Sequence, residues 1–158
     1  MRNTRKTGRI SALCAILPAL WEDTLVPGIV AEELTRNGAD IRSISCLAVR
    51  EPSDVKAVRR LQSELDPGES AAIALALEVG ADLILADERK GRKKAAEMGL
   101  EVVGLLGVIS EAKRRRLIRD RRASSRLACR PVLDALERDA RFWISPCLRD
   151  RFLTLAGE

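Results

Sequence analysis

Residues 66 to 86 constrain the fold of this chain more than any other stretch. Asp66-Pro67-Gly68-Glu69 offers an acid suited to an N-cap, proline at the first helical position and a glutamate three residues after the cap. The run Ala71-Ala72-Ile73-Ala74-Leu75-Ala76-Leu77 continues that helix, and Gly80 supplies a left-handed stop. Asp82-Leu83-Ile84-Leu85-Ala86 then reads as a short apolar strand of the kind buried on both faces. The Ala-rich surface of that helix allows close packing against its neighbours.

The alternation continues in both directions. Downstream, a basic helix runs from about Lys90 to Met98 and closes at Gly99. Leu100 to Val103 is the next strand, and Leu105 to about Arg116 the next helix. Upstream, Leu25-Val26 is a brief apolar run stopped by Pro27-Gly28, with a short helix over Ile29 to Thr35. Ile44 to Val49 is a strand candidate. Ser53 is placed to cap a helix carrying Val55, Val58, Leu61 and Leu65. Beyond a basic stretch, Arg119 to Arg130, come a helix over Pro131 to Ala140 and an extended Phe142-Trp143-Ile144. Ser145-Pro146 opens a last helix to about Leu155. Strands alternating with helices at this pitch imply right-handed crossovers and an α/β fold with a central, mostly parallel sheet. At 158 residues one domain is expected.

Composition excludes several chemistries. The chain has no histidine, which removes Ser-His-Asp and Cys-His catalysis and every His-ligated metal site. Cys14, Cys46, Cys129 and Cys147 form no C-x-x-C pair and read as four small buried hydrophobes. Aromatics make up only 3%, so the core must be Leu, Ala, Val and Ile. No apolar run reaches membrane-spanning length, and no signal-type apolar core follows the basic first residues, so a cytoplasmic location is expected.

The net charge of +5 is uneven. Between Glu111 and Arg126 eight basic residues face two acidic ones, and residues 1–9 carry four more basic residues. A mildly acidic body thus bears two basic segments of the kind that attract phosphate backbones. The alternative is a solvated helix end and loop, since no aromatics interleave to stack bases.

In open α/β sheets, ligands bind at the carboxyl ends of the strands. Asp87-Glu88 follows the strand through Ala86, Glu69 opens the preceding helix, and Glu32 and Glu33 lie on the helix after Leu25-Val26. If those strands are neighbours, acids from three segments converge. Mg²⁺ or Mn²⁺ suits such an oxygen-only set. It would activate water and stabilise charge on a phosphodiester without histidine. Each acid also has a structural explanation: Glu69 in a capping box, Glu32 and Glu33 as solvated helix residues, Asp87-Glu88 as a turn. There is no phosphate-binding G-x-x-x-x-G-K-[ST] and no G-x-G-x-x-G.

The stretches Leu65-Asp66-Pro67-Gly68-Glu69-Ser70-Ala71-Ala72-Ile73-Ala74-Leu75-Ala76, Asp82 to Arg92, Gly104-Leu105-Leu106-Gly107-Val108, Ala112-Lys113-Arg114 and Phe142-Trp143-Ile144-Ser145-Pro146 together resemble the PIN-domain-like proteins. The likeness is strongest to the bacterial and archaeal branch of predicted nucleic-acid-binding proteins related to VapC toxins. It covers about residues 9 to 156 and implies a three-layer α/β/α sandwich with a Mg²⁺- or Mn²⁺-dependent ribonuclease site built of acids. By position, Glu33 matches the acid before Leu in the family's early helix, Glu69 the acid opening the Ala-rich helix, and Asp87 with Glu88 the acids after the next strand. Glu33, Glu69 and Asp87 are therefore the expected catalytic acids, and with Glu88 the expected metal ligands. Arg89, Arg92, Lys113, Arg114 and Arg115 are the expected nucleic-acid contacts. The resemblance also implies RNA as substrate, a small antitoxin as partner and a homodimer.

Two departures qualify that picture. Relatives begin with a strand ending in Asp, whereas residues 1–9 here are basic, read as disordered, and no acid precedes Glu22. The first strand and its ligand are expected to be missing or replaced. Residues 117–130 form a basic insertion where relatives have a shorter link. A PIN-like module that binds RNA or protein without catalysis is accordingly the alternative to a ribonuclease.

Overall fold

A computed structural model describes residues 16–37, 41–118, 129–139 and 143–158. Expectations placed on residues 1–9, on most of the basic insertion and on Phe142 lie outside the described residues. The chain groups into two compact units, one of residues 23–105 and one of residues 1–22 with 106–158.

In the first unit, strand β1 (Thr24–Val26) leads into helix α2 (Gly28–Arg36); the helical residues 16–20, counted as α1, belong to the other unit. A 3-10 turn at Ile41–Ser43 precedes β2 (Leu47–Val49), and α3 (Val55–Leu61) precedes α4 (Pro67–Val79). Then come β3 (Ile84–Leu85), α5 (Arg89–Glu97), β4 (Val102–Val103) and the start of α6 (Leu105–Arg114). β1 pairs with β2 in parallel, Leu25 opposite Ala48, and β3 pairs with β4 in parallel, Ile84 opposite Val102. The class is α/β with parallel pairing, as the alternation implied. Among the described residues, however, the strands form two two-stranded sheets rather than one. No described strand joins the pairs.

Local chemistry explains the boundaries. Asp66 Oδ1 accepts from the Glu69 amide at 2.8 Å, Pro67 occupies the first turn of α4, and Gly80 closes it at φ +62°. The strand expected over Ile44 to Val49 begins only at Leu47, because the 3-10 turn ends with the Ile44 amide bonded to Ile41 O. The cap of α3 is Asp54, not Ser53: Asp54 Oδ1 accepts from the Ala57 amide at 2.9 Å. The Ser53 amide instead donates to Glu78 Oε2 at 2.7 Å. α3 stops at Leu61, so Leu65 packs from the following turn.

α4 organises this unit. It buries Ser70, Ala71, Ile73, Ala74, Leu75 and Ala76, and it packs against α2, α3, α5 and β3. Its alanines let those neighbours approach closely. Leu61, Leu65, Ile73, Ile84 and Ala95 form the central cluster, with Val58, Leu100 and Val102 packed on it. Full burial of a side chain such as Ile73 contributes about 1.5–3 kcal/mol.

The second unit continues α6 and adds α7 (Arg130–Asp139) and α8 (Pro146–Leu155). Val108, Ile109 and Ala112 on α6, Leu133 and Leu136 on α7, and Leu153 on α8 are buried. Ser145 Oγ caps α8 by accepting from the Leu148 amide at 3.3 Å. Glu158 ties the unit together. Its carboxylate accepts from Lys113 Nζ and the Cys129 amide, both at 2.6 Å, and from the Arg130 amide at 3.1 Å. Burial alone would raise its pKa, but Lys113 and the two amides outweigh burial and hold it below the ordinary value. Cys46 and Cys129 are buried as expected of small hydrophobes, but Cys147 is exposed. It sits in the first turn of α8, while the inward position of that helix belongs to Leu153.

Candidate metal centre

Two helix starts position the acids of residues 23–105. At the first turn of α4, Asp66 is the N-cap and Glu69 lies three residues on, so both carboxylates share one face. At the first turn of α5, Glu88 is the N-cap, with no side-chain hydrogen bond to the helix it opens. Asp66, Glu69 and Glu88 each place a carboxylate oxygen so that all three lie within 4.8 Å of one another. Glu33, on α2, approaches the same turn. A Cβ added to Gly68 would stand 3.4 Å from Asp66 Oδ1 and 3.9 Å from Glu33 Oε2.

The crowding has an electrostatic signature. Burial first, then the negative charges of Asp66 and Glu88, push the Glu69 pKa above the ordinary carboxylate value, while the Gly91 and Asp66 amides pull against them. A cation would relieve this repulsion. Oxygens on opposite sides of an octahedral Mg²⁺ at about 2.1 Å are about 4.2 Å apart. The all-carboxylate set and its spacing therefore fit Mg²⁺ or Mn²⁺.

Asp87 is placed differently. Its Oδ1 accepts from the Leu105 amide at 2.9 Å, which satisfies a free N–H at the start of α6. The neighbouring pair Asp87-Glu88 thus divides: Glu88 faces Glu69, and Asp87 holds a helix N-terminus. Asp66 was legible in the sequence only as a cap. Its i, i+3 spacing to Glu69 is the signal that marks it as a member of the cluster.

Of the basic residues, Arg89 is exposed at the first turn of α5. Arg92 is half-buried and donates from Nη1 to Ala86 O at 3.1 Å, where β3 ends. A Cβ on Gly104 would overlap that guanidinium and stand 3.0 Å from Asp87 Oδ1. Lys113, in the second unit, is engaged by Glu158 and by Ala156 O at 2.6 Å. Arg114 and Arg115 both donate to Glu111, which they hold down to a pKa of about 2. Arg115 also donates to Leu20 O at 3.0 Å. Internal partners thus take up part of the donor capacity expected to face nucleic acid. No helix among the described residues is long and apolar enough to cross a membrane.

A family model described as PIN domain matches residues 9–158. No curated protein and no solved structure compared with the chain gave a match. PIN domains are generally nucleases and typically depend on a divalent metal, and among the described residues the grouped acids at the starts of α4 and α5 are suited to hold one. With the match running over nearly the whole sequence, the chain belongs to the PIN-domain family.

Proposed function

We propose that this chain is a Mg²⁺- or Mn²⁺-dependent endoribonuclease. The observation that carries the reading is the convergence of Asp66, Glu69 and Glu88 within 4.8 Å, from helix starts separated in sequence. Asp66, Glu69 and Glu88 would hold the ion, with Glu33 beside them. A divalent ion there lowers the pKa of water and neutralises charge on a phosphodiester. Arg89, exposed at the first turn of α5, would reach a phosphate, and Arg92 sets the end of β3 through Ala86 O. Asp87 keeps Oδ1 on the Leu105 amide at the start of α6.

Purified protein should cleave RNA only with Mn²⁺ or Mg²⁺, and Glu69→Gln and Glu88→Gln should abolish cleavage while preserving the fold. Cleavage that survives both substitutions refutes the assignment. A toxin role with a small antitoxin follows from the family resemblance, and induced expression that arrests growth in wild type but not in Glu69→Gln would support it.

The engagement of Asp87 Oδ1 by the Leu105 amide favours a second reading, a nucleic-acid-binding module without catalysis. Under that reading RNA affinity falls steeply with salt, as phosphate contacts require, and does not respond to divalent ions.

A further inference from the structure

The first turn of α5 does two things at once. Glu88 at its N-cap contributes one member of the acid cluster. Three residues later, on the same face, stands Gly91, buried and inside the helix. A Cβ added to Gly91 would lie 2.6 Å from Glu69 Cδ and would overlap Oε1. No real side chain fits there while Glu69 keeps its place. The group met is the far end of a flexible side chain rather than backbone, so the helix need not move; the carboxylate must. Gly68 offers a contrast on the other helix start. Its added Cβ would meet Asp66, Val30 and Glu33 at 3.4 to 3.9 Å, ordinary contact distances.

We propose that Gly91 is a positioning residue: its missing side chain seats the Glu69 carboxylate against α5 and so fixes the spacing of Glu69 from Glu88 in the cation site. The inference rests on the metal-dependent reading above and adds to it the residue that sets the ligand geometry. Any larger residue at position 91 separates stability from cation affinity. Alanine favours the helix over glycine, so the fold is kept or strengthened. The carboxylate that alanine displaces is the one the cation needs.

The test uses the full chain with four substitutions: Gly91→Ala, Gly68→Ala, Glu69→Asp, and Gly91→Ala combined with Glu69→Asp. Thermal melts without metal report the fold, and calorimetric titration with Mn²⁺ reports affinity, neither requiring activity. Gly91→Ala should melt at or about 3 °C above wild type and bind Mn²⁺ at least about tenfold more weakly. Gly68→Ala should bind as wild type does. The double variant should bind more tightly than Gly91→Ala alone, because the shorter Asp side chain withdraws from the added methyl. A merely structural glycine gives no such rescue. The proposal is overturned if Gly91→Ala binds like wild type, if Gly68→Ala loses as much, or if the shorter acid restores nothing. Wild-type protein that fails to bind Mn²⁺ overturns the nuclease reading together with this one, whereas binding unaffected by Gly91→Ala overturns this one alone.

Discussion

Replacing Asp66 by Asn should make the metal-free protein more stable. Asn caps a helix as well as Asp does, so the bond from the Glu69 amide to the position 66 side chain survives. What disappears is one negative charge among three whose oxygens lie within 4.8 Å. In a water-like dielectric two unit charges at that separation repel by about 0.9 kcal/mol. Relief from two partners is worth about 1.7 kcal/mol, and the lost attraction of the charge to the α4 N-terminus takes back about 0.5 kcal/mol. The net gain is about 1 kcal/mol, or about 3 °C in Tm for a chain of this size. In 1 M salt the screening length shrinks to about 3 Å and the gain should largely vanish. Excess Mn²⁺ should reverse the order, since a ligand at a hundred times its Kd adds about 2.7 kcal/mol to the form that binds it. A pH arm follows from Glu69. Its raised pKa means the folded state holds the proton more tightly than the unfolded state. Its contribution is therefore lost as pH rises from the ordinary carboxylate value of 4.5 through the folded value. Removing the Asp66 charge should flatten that slope. Loss of stability in Asp66→Asn at low salt, or a gain undiminished in 1 M salt, refutes the reasoning.

Glu158→Ala should destabilise by about 3 kcal/mol in urea unfolding, because it strands a Lys113 side chain only 20% exposed and frees the Cys129 and Arg130 amides. Adding Lys113→Met should return part of that loss through a non-additive cycle. Because the folded pKa of Glu158 is depressed, its contribution is present above the unfolded value and lost as pH falls through the folded one, so wild type and variant should converge in acid. Arg116 sits at φ +59°, with its amide on Lys113 O and the Leu117 amide on Ala112 O, the closing turn that usually holds glycine. Arg116→Gly should stabilise by about 1 kcal/mol, read by thermal melting. Glu111→Gln should release Arg114 and Arg115, raise RNA affinity and steepen its salt dependence. Unchanged binding would remove these two residues from the nucleic-acid interface.

What the sequence revealed followed the range of the forces involved. Asp66, Pro67 and Gly80 act within a few residues of themselves, so the start and stop of α4 were readable directly. The start of α3 was not, since Ser53 and Asp54 are both good caps. The choice falls to Glu78, 25 residues away, which claims the Ser53 amide. Parallel pairing followed from the alternation, but strand length did not. β3 and β4 are two residues each because their ends are set by which amides find a partner across the pair. The site shows the same limit. Glu69 was recognisable as an acid at a helix start and Glu88 as one just past a strand end. That Asp87 turns to the Leu105 amide depends on a contact 18 residues distant. The basic residues were counted correctly as charge, yet Glu111 and Glu158 pair with three of them across three to 45 residues.

The same distinction explains how the acid cluster persists in a fold that must survive without a cation. Asp66 and Glu88 are both N-caps, so each sits where a helix presents unpaired amides and partial positive charge. Those two helix ends supply about 0.3–1 kcal/mol apiece toward holding carboxylates that otherwise repel by about 0.9 kcal/mol per pair. Glu69 has a weaker version of this support, from the Gly91 and Asp66 amides. Support therefore offsets only part of the repulsion, which leaves three carboxylates gathered yet still repelling one another. On the proposed reading, a divalent ion would meet oxygens already gathered, with part of the cost of gathering them met by the backbone of α4 and α5. Asp66, the capping acid that makes α4 legible in the sequence, is by the same chemistry one of the three acids of the proposed metal site.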